Sequence, residues 1–256
     1  MKHCDKHNLD YEEKTEGFLG RIIESDCPKC LEEKFKDWEE KEAQKEKEEK
    51  EQARLAYLAR CNIEPMYHDS TLDTFVAESD EQKKALAYAR EMVETKEGKL
   101  VLLGANGTGK THLAVGVVRE LSGRLYSMYE ITTRIRASYV SGAKESELDI
   151  VDELSRVTML AIDEIGRTKG SEAETNWLSY IIDKRHTRNL PLILISNKHT
   201  RKSCPSGGCE KCLENYISED VMSRLSEDGH LVTMTGEDYR HKKRAEKRYE
   251  GGSNGQ

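Results

Sequence analysis

The chain has no apolar run long enough to cross a bilayer, and its first residues, Met1-Lys2-His3-Cys4-Asp5, contain no hydrophobic signal core. No membrane role and a cytoplasmic location are therefore expected. Aromatic side chains are scarce at 6%, and hydrophobic content of 36% is matched by 35% charged residues. That balance excludes one large uniform core across 256 residues and points to a packed part beside a well-solvated part. A net positive charge is also lacking: the formal balance of -7 argues against wholesale coating of nucleic acid, although a local basic path is still allowed. The seven cysteines are odd in number and unevenly clustered. With no secretion signal they read as reduced thiols or metal ligands rather than a disulfide framework. There is no internal repeat.

Composition divides what is present. Residues 1–30 carry two Cys/His pairs. Residues 31–60 are dominated by Glu and Lys, a strongly helical stretch with Glu32/Lys36 and Glu46/Lys50 four apart. Leu31, Phe35 and Trp38 make a short apolar stripe, but no heptad is sustained, so a solvated helical spacer is expected rather than a zipper. From about residue 62 the pattern becomes globular. Ser79-Asp80-Glu81-Gln82 reads as a capping box opening a helix with Leu86, Ala89 and Val93 on one face. Lys99–Leu103, Leu125–Met128, Val157–Ile162 and Leu190–Ile195 are strand-length apolar runs separated by helical segments. This alternation predicts a parallel sheet covered on both faces. The segment Gly251 to Gln256 is expected to be disordered.

Lys99–Leu103 runs directly into Gly104-Ala105-Asn106-Gly107-Thr108-Gly109-Lys110-Thr111, a Walker A loop. Glycines let several backbone N–H groups converge on one anion, and the positive end of the helix beginning near His112 adds to the attraction. Lys110 then reaches the β- and γ-phosphates of ATP, and the Thr111 hydroxyl reaches Mg²⁺. Val157–Ile162 ends in Asp163-Glu164, at the strand edge where ligand crevices of open α/β sheets lie. Asp163 is placed to hold Mg²⁺ and Glu164 to polarise the water that attacks the γ-phosphate. The two motifs together predict ATP binding and hydrolysis. Asn197 closes a further apolar strand and can either orient that water or simply close a turn. Arg224 sits on a helical segment, where the default reading is a surface arginine.

Cys4-x2-His7 and Cys27-x2-Cys30 have the pairwise spacing of a tetrahedral Zn²⁺ site, with His3 as an alternative to His7. About thirty residues bury too little to fold alone, so metal would supply the missing stability. Cys204, Cys209 and Cys212, with His199 as a possible fourth ligand, are irregularly spaced; a second metal site and a flexible loop are both open. Cys61 reads as an ordinary buried thiol.

From Cys61-Asn62-Ile63 to Asp238-Tyr239-Arg240 the sequence resembles the AAA+ domain of DnaC-type replicative helicase loaders. The resemblance is carried by Lys110-Thr111-His112-Leu113-Ala114, Ala161-Ile162-Asp163-Glu164-Ile165-Gly166, Ile182-Asp183-Lys184-Arg185, Ile195-Ser196-Asn197 and Val221-Met222-Ser223-Arg224-Leu225. It implies a P-loop AAA+ three-layer α/β domain at 61–240. A zinc-binding, helicase-interacting module at 1–30 and a charged linker at 31–60 precede it, and a basic then disordered tail at 241–256 follows. It implies self-assembly into an AAA+ oligomer, a DnaB-type helicase partner and delivery of that helicase to single-stranded DNA. Under it Asn197 is a sensor, Arg224 an arginine finger acting across a subunit boundary, and Arg240 a second phosphate sensor. An IstB-type transposition helper that binds duplex DNA shares the same core and is the alternative. Lys202 to Cys212 is an insertion relative to that core. For DNA contacts, Arg136 and Tyr139 are the candidates, beside Arg134, Lys169, the cluster Lys184, Arg185 and Arg188, and the tail from His241 to Arg248.

Overall fold

Two stretches of chain fold as separate compact units, Met1–Tyr57 and Leu58–Gln256, in a computed structural model that describes residues 1–12, 15–18, 21–24, 27–167 and 171–239. The first unit holds two antiparallel pairs, β1 (Lys2–Cys4) with β2 (Leu9–Tyr11) and β3 (Thr15–Phe18) with β4 (Arg21–Glu24). Helix α1 (Pro28–Arg60) opens inside the Cys27-x2-Cys30 pair, with proline in its first turn, where its missing N–H costs nothing. Its apolar stripe is not buried: Leu31, Phe35 and Trp38 are 43%, 56% and 61% exposed. The helix is held by its own backbone and by pairs such as Glu46–Lys50 at 2.5 Å and Asp37–Lys41 at 2.7 Å.

α1 ends by a Schellman motif. The N–H of Ile63 bonds Leu58 O at 3.0 Å, that of Asn62 bonds Ala59 O at 3.0 Å, and Asn62 takes the left-handed φ of 57° that asparagine tolerates. Leu58, Cys61 and Ile63 are buried, as expected of the Cys61 thiol. The remaining helices are α2 (Asp80–Thr95), α3 (Lys110–Glu120), α4 (Met128–Ala137), α5 (Glu147–Leu154), α6 (Glu172–Thr187) and α7 (Glu219–Glu227). Serine caps α2, α4, α5, α6 and α7, each side chain accepting an N–H three residues on. The α2 capping box forms as read. Its buried face, however, is Gln82, Ala85, Ala89 and Met92, with Leu86 and Val93 on the flank.

The strands β5 (Lys99–Leu103), β6 (Arg124–Ser127), β7 (Leu160–Asp163), β8 (Leu192–Ser196) and β9 (Gly229–Thr233) form one sheet in the order β6-β7-β8-β5-β9, every neighbour parallel. β5 and β8 are buried along their whole length, which is why they read as unbroken apolar runs. One face packs Val101, Leu103, Ile162 and Leu194 against residues of α4 to α7, including Ile131, Ile150, Leu178 and Leu225. α2 and α3 cover the other face.

At the end of the sheet where the strands begin, Lys99 is buried and pairs with Asp228 and, at 2.8 Å, with His186 Nδ1. Arg185 is fully buried. Its guanidinium donates to the carbonyls of Leu154 (3.0 Å), Val157 (2.8 Å) and Pro191 (2.6 Å), pinning the turns that lead into β7 and β8. Burial pushes its pKa down to about 9. Arg185 therefore leaves the group of DNA-contact candidates: its charge faces carbonyls inside the protein.

Candidate nucleotide site and Cys/His cluster

The loop from Gly104 to Thr111 leaves the carboxyl end of β5 and enters α3 through Gly109, whose φ of 93° only glycine adopts freely. Gly104, at φ 124°, passes so close to the chain after β9 that a Cβ on it would lie 2.2 Å from Met234 O. Lys110 is 6% exposed and curls back, its ammonium donating to Gly104 O at 2.8 Å and to Ala105 O. These are carbonyls that a phosphate oxygen could replace as partner. Asn106 and Ala105 form the outer turn, and Thr108 is buried with its hydroxyl on Ala105 O at 3.0 Å.

Thr111 and Asp163 are already together. The Thr111 hydroxyl donates to Asp163 Oδ2 at 2.7 Å, while Asp163 Oδ1 accepts the Glu164 N–H at 2.6 Å. Burial holds the Asp163 carboxyl above the usual carboxylate range, against the pull of those two hydrogen bonds. A hydroxyl and a carboxylate in contact offer two hard oxygen ligands, the donor set Mg²⁺ takes beside phosphate oxygens. Glu164 sits at a strained φ of 60°, and its carboxylate is engaged by Arg167 three residues on. That arginine escaped sequence reading, because the turn that brings the two together depends on the positive φ of Glu164 and Gly166.

Ser196 is the register partner of Leu103, so Asn197 stands next to Gly104 at the same sheet edge, exposed and without a hydrogen-bond partner among the described residues. His112 accompanies the loop on α3, but its ring is committed elsewhere: Nε2 meets Thr71 O at 2.9 Å, and Phe75 packs edge-on at 5.4 Å. Asp238, also unanticipated, lies against the loop: a Cβ on Gly107 would fall 1.9 Å from its carboxylate, and Tyr239 N–H donates to Gly107 O at 3.1 Å. Arg240, Lys169 and the basic tail lie outside the described residues.

Arg224 lies at the far end of the sheet from this loop. A Cβ on Gly229 would meet Leu225 O at 2.3 Å and Lys99 at 2.9 Å, so the α7 turn carrying Arg224 abuts the strand starts. Its guanidinium pairs with Asp183 of α6. Arg136 and Tyr139 fall on and just after α4. Arg136 borders a cavity of about 690 Å³ that Glu164, Arg167 and Glu174 also line, and it approaches Glu174 at 3.6 Å. The Tyr139 ring is 62% exposed, and its hydroxyl donates to Glu147, which holds the phenol above its ordinary pKa.

In the first unit the four sequence-read ligands converge. Cys4 Sγ lies 3.6 Å from His7 Nδ1 and 3.7 Å from Cys30 Sγ, and the Cys27 and Cys30 sulfurs each lie 3.4 Å from the same nitrogen. Ligands around a tetrahedral zinc stand about 3.8 Å apart for two sulfurs and about 3.5 Å for sulfur and nitrogen, given its bond lengths. The donor set fits Zn²⁺. Glu33 accepts from the other His7 nitrogen at 3.1 Å, the carboxylate that orients a ligating imidazole. His3 turns away to Asp10 at 2.6 Å. Among the described residues no helix is long and apolar enough to cross a membrane.

Residues 31–247 match the family profile of the IstB-like ATP binding protein, and the chain belongs to that family. It is 28% identical over 200 residues to the replicative helicase loader DnaC of Escherichia coli K12, covering 70% of this chain and 76% of that protein. It is also 25% identical over 248 residues to an insertion sequence IS5376 putative ATP-binding protein of Geobacillus stearothermophilus, covering 93% of this chain and 84% of that one. A crystal structure of the DnaC helicase loader superposes with a TM-score of 0.55 at 23% identity, over 67% of this chain and 100% of that one. The domain is thus an AAA+ P-loop ATPase.

Proposed function

We propose that this ATPase loads a DnaB-type replicative helicase onto single-stranded DNA. The likeness to DnaC over most of both chains is the observation that carries this reading. In it, the loop Gly104–Thr111 and Lys110 hold ATP, with Thr111 and Asp163 as protein ligands for Mg²⁺. Glu164, once released by Arg167, polarises the attacking water; Asn197 orients it; Arg224 of a neighbouring copy stabilises charge in transit. Zinc on Cys4, His7, Cys27 and Cys30 folds residues 1–30 into the helicase-docking module. Residues 31–60 are its spacer, 61–240 the ATPase domain and 241–256 a basic tail. Single-stranded DNA is met by Arg136 and by Tyr139, whose exposed ring offers a stacking face.

A second reading, a transposition helper that binds duplex DNA, is favoured by the relative from the insertion sequence, which matches nearly the whole chain. Helicase capture separates the two. Full-length protein is incubated with a hexameric replicative helicase in ATP or ADP, and its ATPase is measured with single-stranded and with duplex DNA. Capture of the helicase in one nucleotide state, with single-strand stimulation, is the expected result. No capture in either state, with stimulation by duplex alone, would replace the loader with the helper. A Cys27→Ser variant that keeps its ATPase but loses the helicase would assign docking to the first module.

A further inference from the structure

We propose that His199, Cys204, Cys209 and Cys212 hold a second, structural zinc ion inside the ATPase domain, fixing the path from Asn197 to the Arg224 helix. The four ligand atoms lie within 4.8 Å of one another, with Cys209 Sγ 3.2 Å from His199 Nε2. The irregular sequence spacing left this open between a metal site and a flexible loop; here the backbone does the gathering. His199 bridges to Cys212 in parallel, with Leu213 N–H on His199 O at 2.8 Å and His199 N–H on Lys211 O at 3.3 Å. Gly207, at φ 70°, lets the chain turn back after Cys204, its N–H on Cys204 O at 3.0 Å.

The surroundings suit thiolates. The Cys212 sulfur accepts the Cys209 N–H at 3.3 Å, the Cys209 sulfur accepts the Lys211 N–H at 3.4 Å, and Ser206 Oγ lies 3.2 Å from the Cys204 sulfur. Such N–H donors offset charge on metal-bound sulfur. From Asn197 to Lys211 there is no Leu, Ile, Val, Met, Phe, Tyr or Trp, so this stretch has no apolar cluster of its own to hold it. Even so, Cys204 is 9% and Cys212 0% exposed. A metal supplies the cross-link that hydrophobic burial does not. Three thiolates and one imidazole select zinc and fill its tetrahedron, leaving no open position for chemistry.

The location gives the ion its role. On one side the segment starts at Asn197, and Lys198 and Tyr216 pack against Gly166, where a Cβ would lie 2.3 Å and 3.4 Å from them. The turn of Glu164 and Arg167 therefore leans on it. On the other side Leu213, Tyr216 and Ile217 enter the core just before Ser218, the cap of α7. One ion thus ties the strand end at the nucleotide to the helix bearing Arg224.

Elemental analysis of the full chain, purified without chelator, tests this independently of the first cluster. Wild type is expected to carry about two zinc ions per chain, and both Cys27→Ser/Cys30→Ser and Cys204→Ser/Cys209→Ser about one. In the first double variant, a strong chelator should remove the remaining ion and open tryptic cleavage at Arg201, Lys202 and Lys211. The inference is overturned if that variant holds no zinc, holds iron instead, or contains a Cys209–Cys212 disulfide. Because it leaves the second cluster intact, its metal content decides the matter even if Cys204→Ser/Cys209→Ser fails to fold. One zinc in wild type and one in Cys27→Ser/Cys30→Ser would remove the ion from the first cluster while supporting this one.

Discussion

Arg224 and Lys110 of one chain should be unable to serve the same ATP. The nucleotide loop follows Leu103, while the α7 turn of Arg224 lies against Lys99 and Gly229 at the opposite end of the same strands. Five parallel residues at 3.3 Å each separate the two ends by about 16 Å, more than twice the roughly 7 Å reach of an arginine side chain. In the proposed role of arginine finger, Arg224 therefore acts on the nucleotide of a neighbour. Arg224→Ala is expected to lower kcat by about 10³-fold or more, some 4 kcal/mol of transition-state stabilisation, with nucleotide affinity nearly unchanged. Lys110→Ala removes the proposed phosphate partner and is expected to be equally inactive. Mixing the two inactive variants is the decisive assay. In a randomly mixed ring, about one interface in four pairs an intact Lys110 with an intact Arg224, so roughly a quarter of the wild-type rate should return. A mixture as inactive as its parts, or an Arg224→Ala protein with wild-type turnover, would refute the reasoning.

Arg185→Leu is expected to destabilise the domain rather than weaken DNA binding. It strands the buried carbonyls of Leu154 and Pro191 at about 1–3 kcal/mol each and the half-buried carbonyl of Val157 at less, partly offset by no longer burying a guanidinium. A net loss of about 3 kcal/mol lowers Tm by roughly 6–12 °C, and DNA affinity lost without a fall in Tm would contradict the assignment. Asp163→Asn is expected to stabilise the nucleotide-free protein. The carboxyl is held above its unfolded pKa by burial, so its contribution to stability is fully present at low pH and is lost as pH rises through the folded value. The variant should therefore melt higher than wild type near neutrality. The gap should close as pH falls below about 4, the ordinary aspartate range. Mg²⁺-ATP should raise the melting temperature of wild type alone; a variant that melts lower at neutral pH would show that the Thr111 contact outweighs the burial.

What was legible in the sequence was whatever a short window contains. β5 and β8 announced themselves as apolar runs because both their faces are covered, and Ser79 with Gln82 declared its helix through local hydrogen bonds. β9 escaped: it is an edge strand, Gly-His-Leu-Val-Thr, with Leu231 41% exposed, and so has no continuous apolar signature. Strand ends slipped for a similar reason. Val157 belongs to the turn held by Arg185, not to β7, and Met128 opens α4 instead of closing β6. The Walker motifs could be read by spacing, as could the first Cys/His cluster. Asp238 against Gly107 and the burial of Arg185 could not, since each depends on chain that only tertiary folding brings near, and Arg167 on Glu164 could not because it rests on the left-handed turn at Glu164 and Gly166.

Helix α1 has a consequence for how the molecule breathes. Among its described residues only Leu58 is buried, so most of its amides are protected by nothing beyond the helix itself and its surface ion pairs. Hydrogen exchange along it should run by local fraying and quicken in high salt as those pairs are screened. Amides of β5 and β8, enclosed on both faces, should exchange only when the whole sheet opens. The two sets of amides should differ by orders of magnitude in rate, and agents that unfold the ATPase core need not be those that melt the helix.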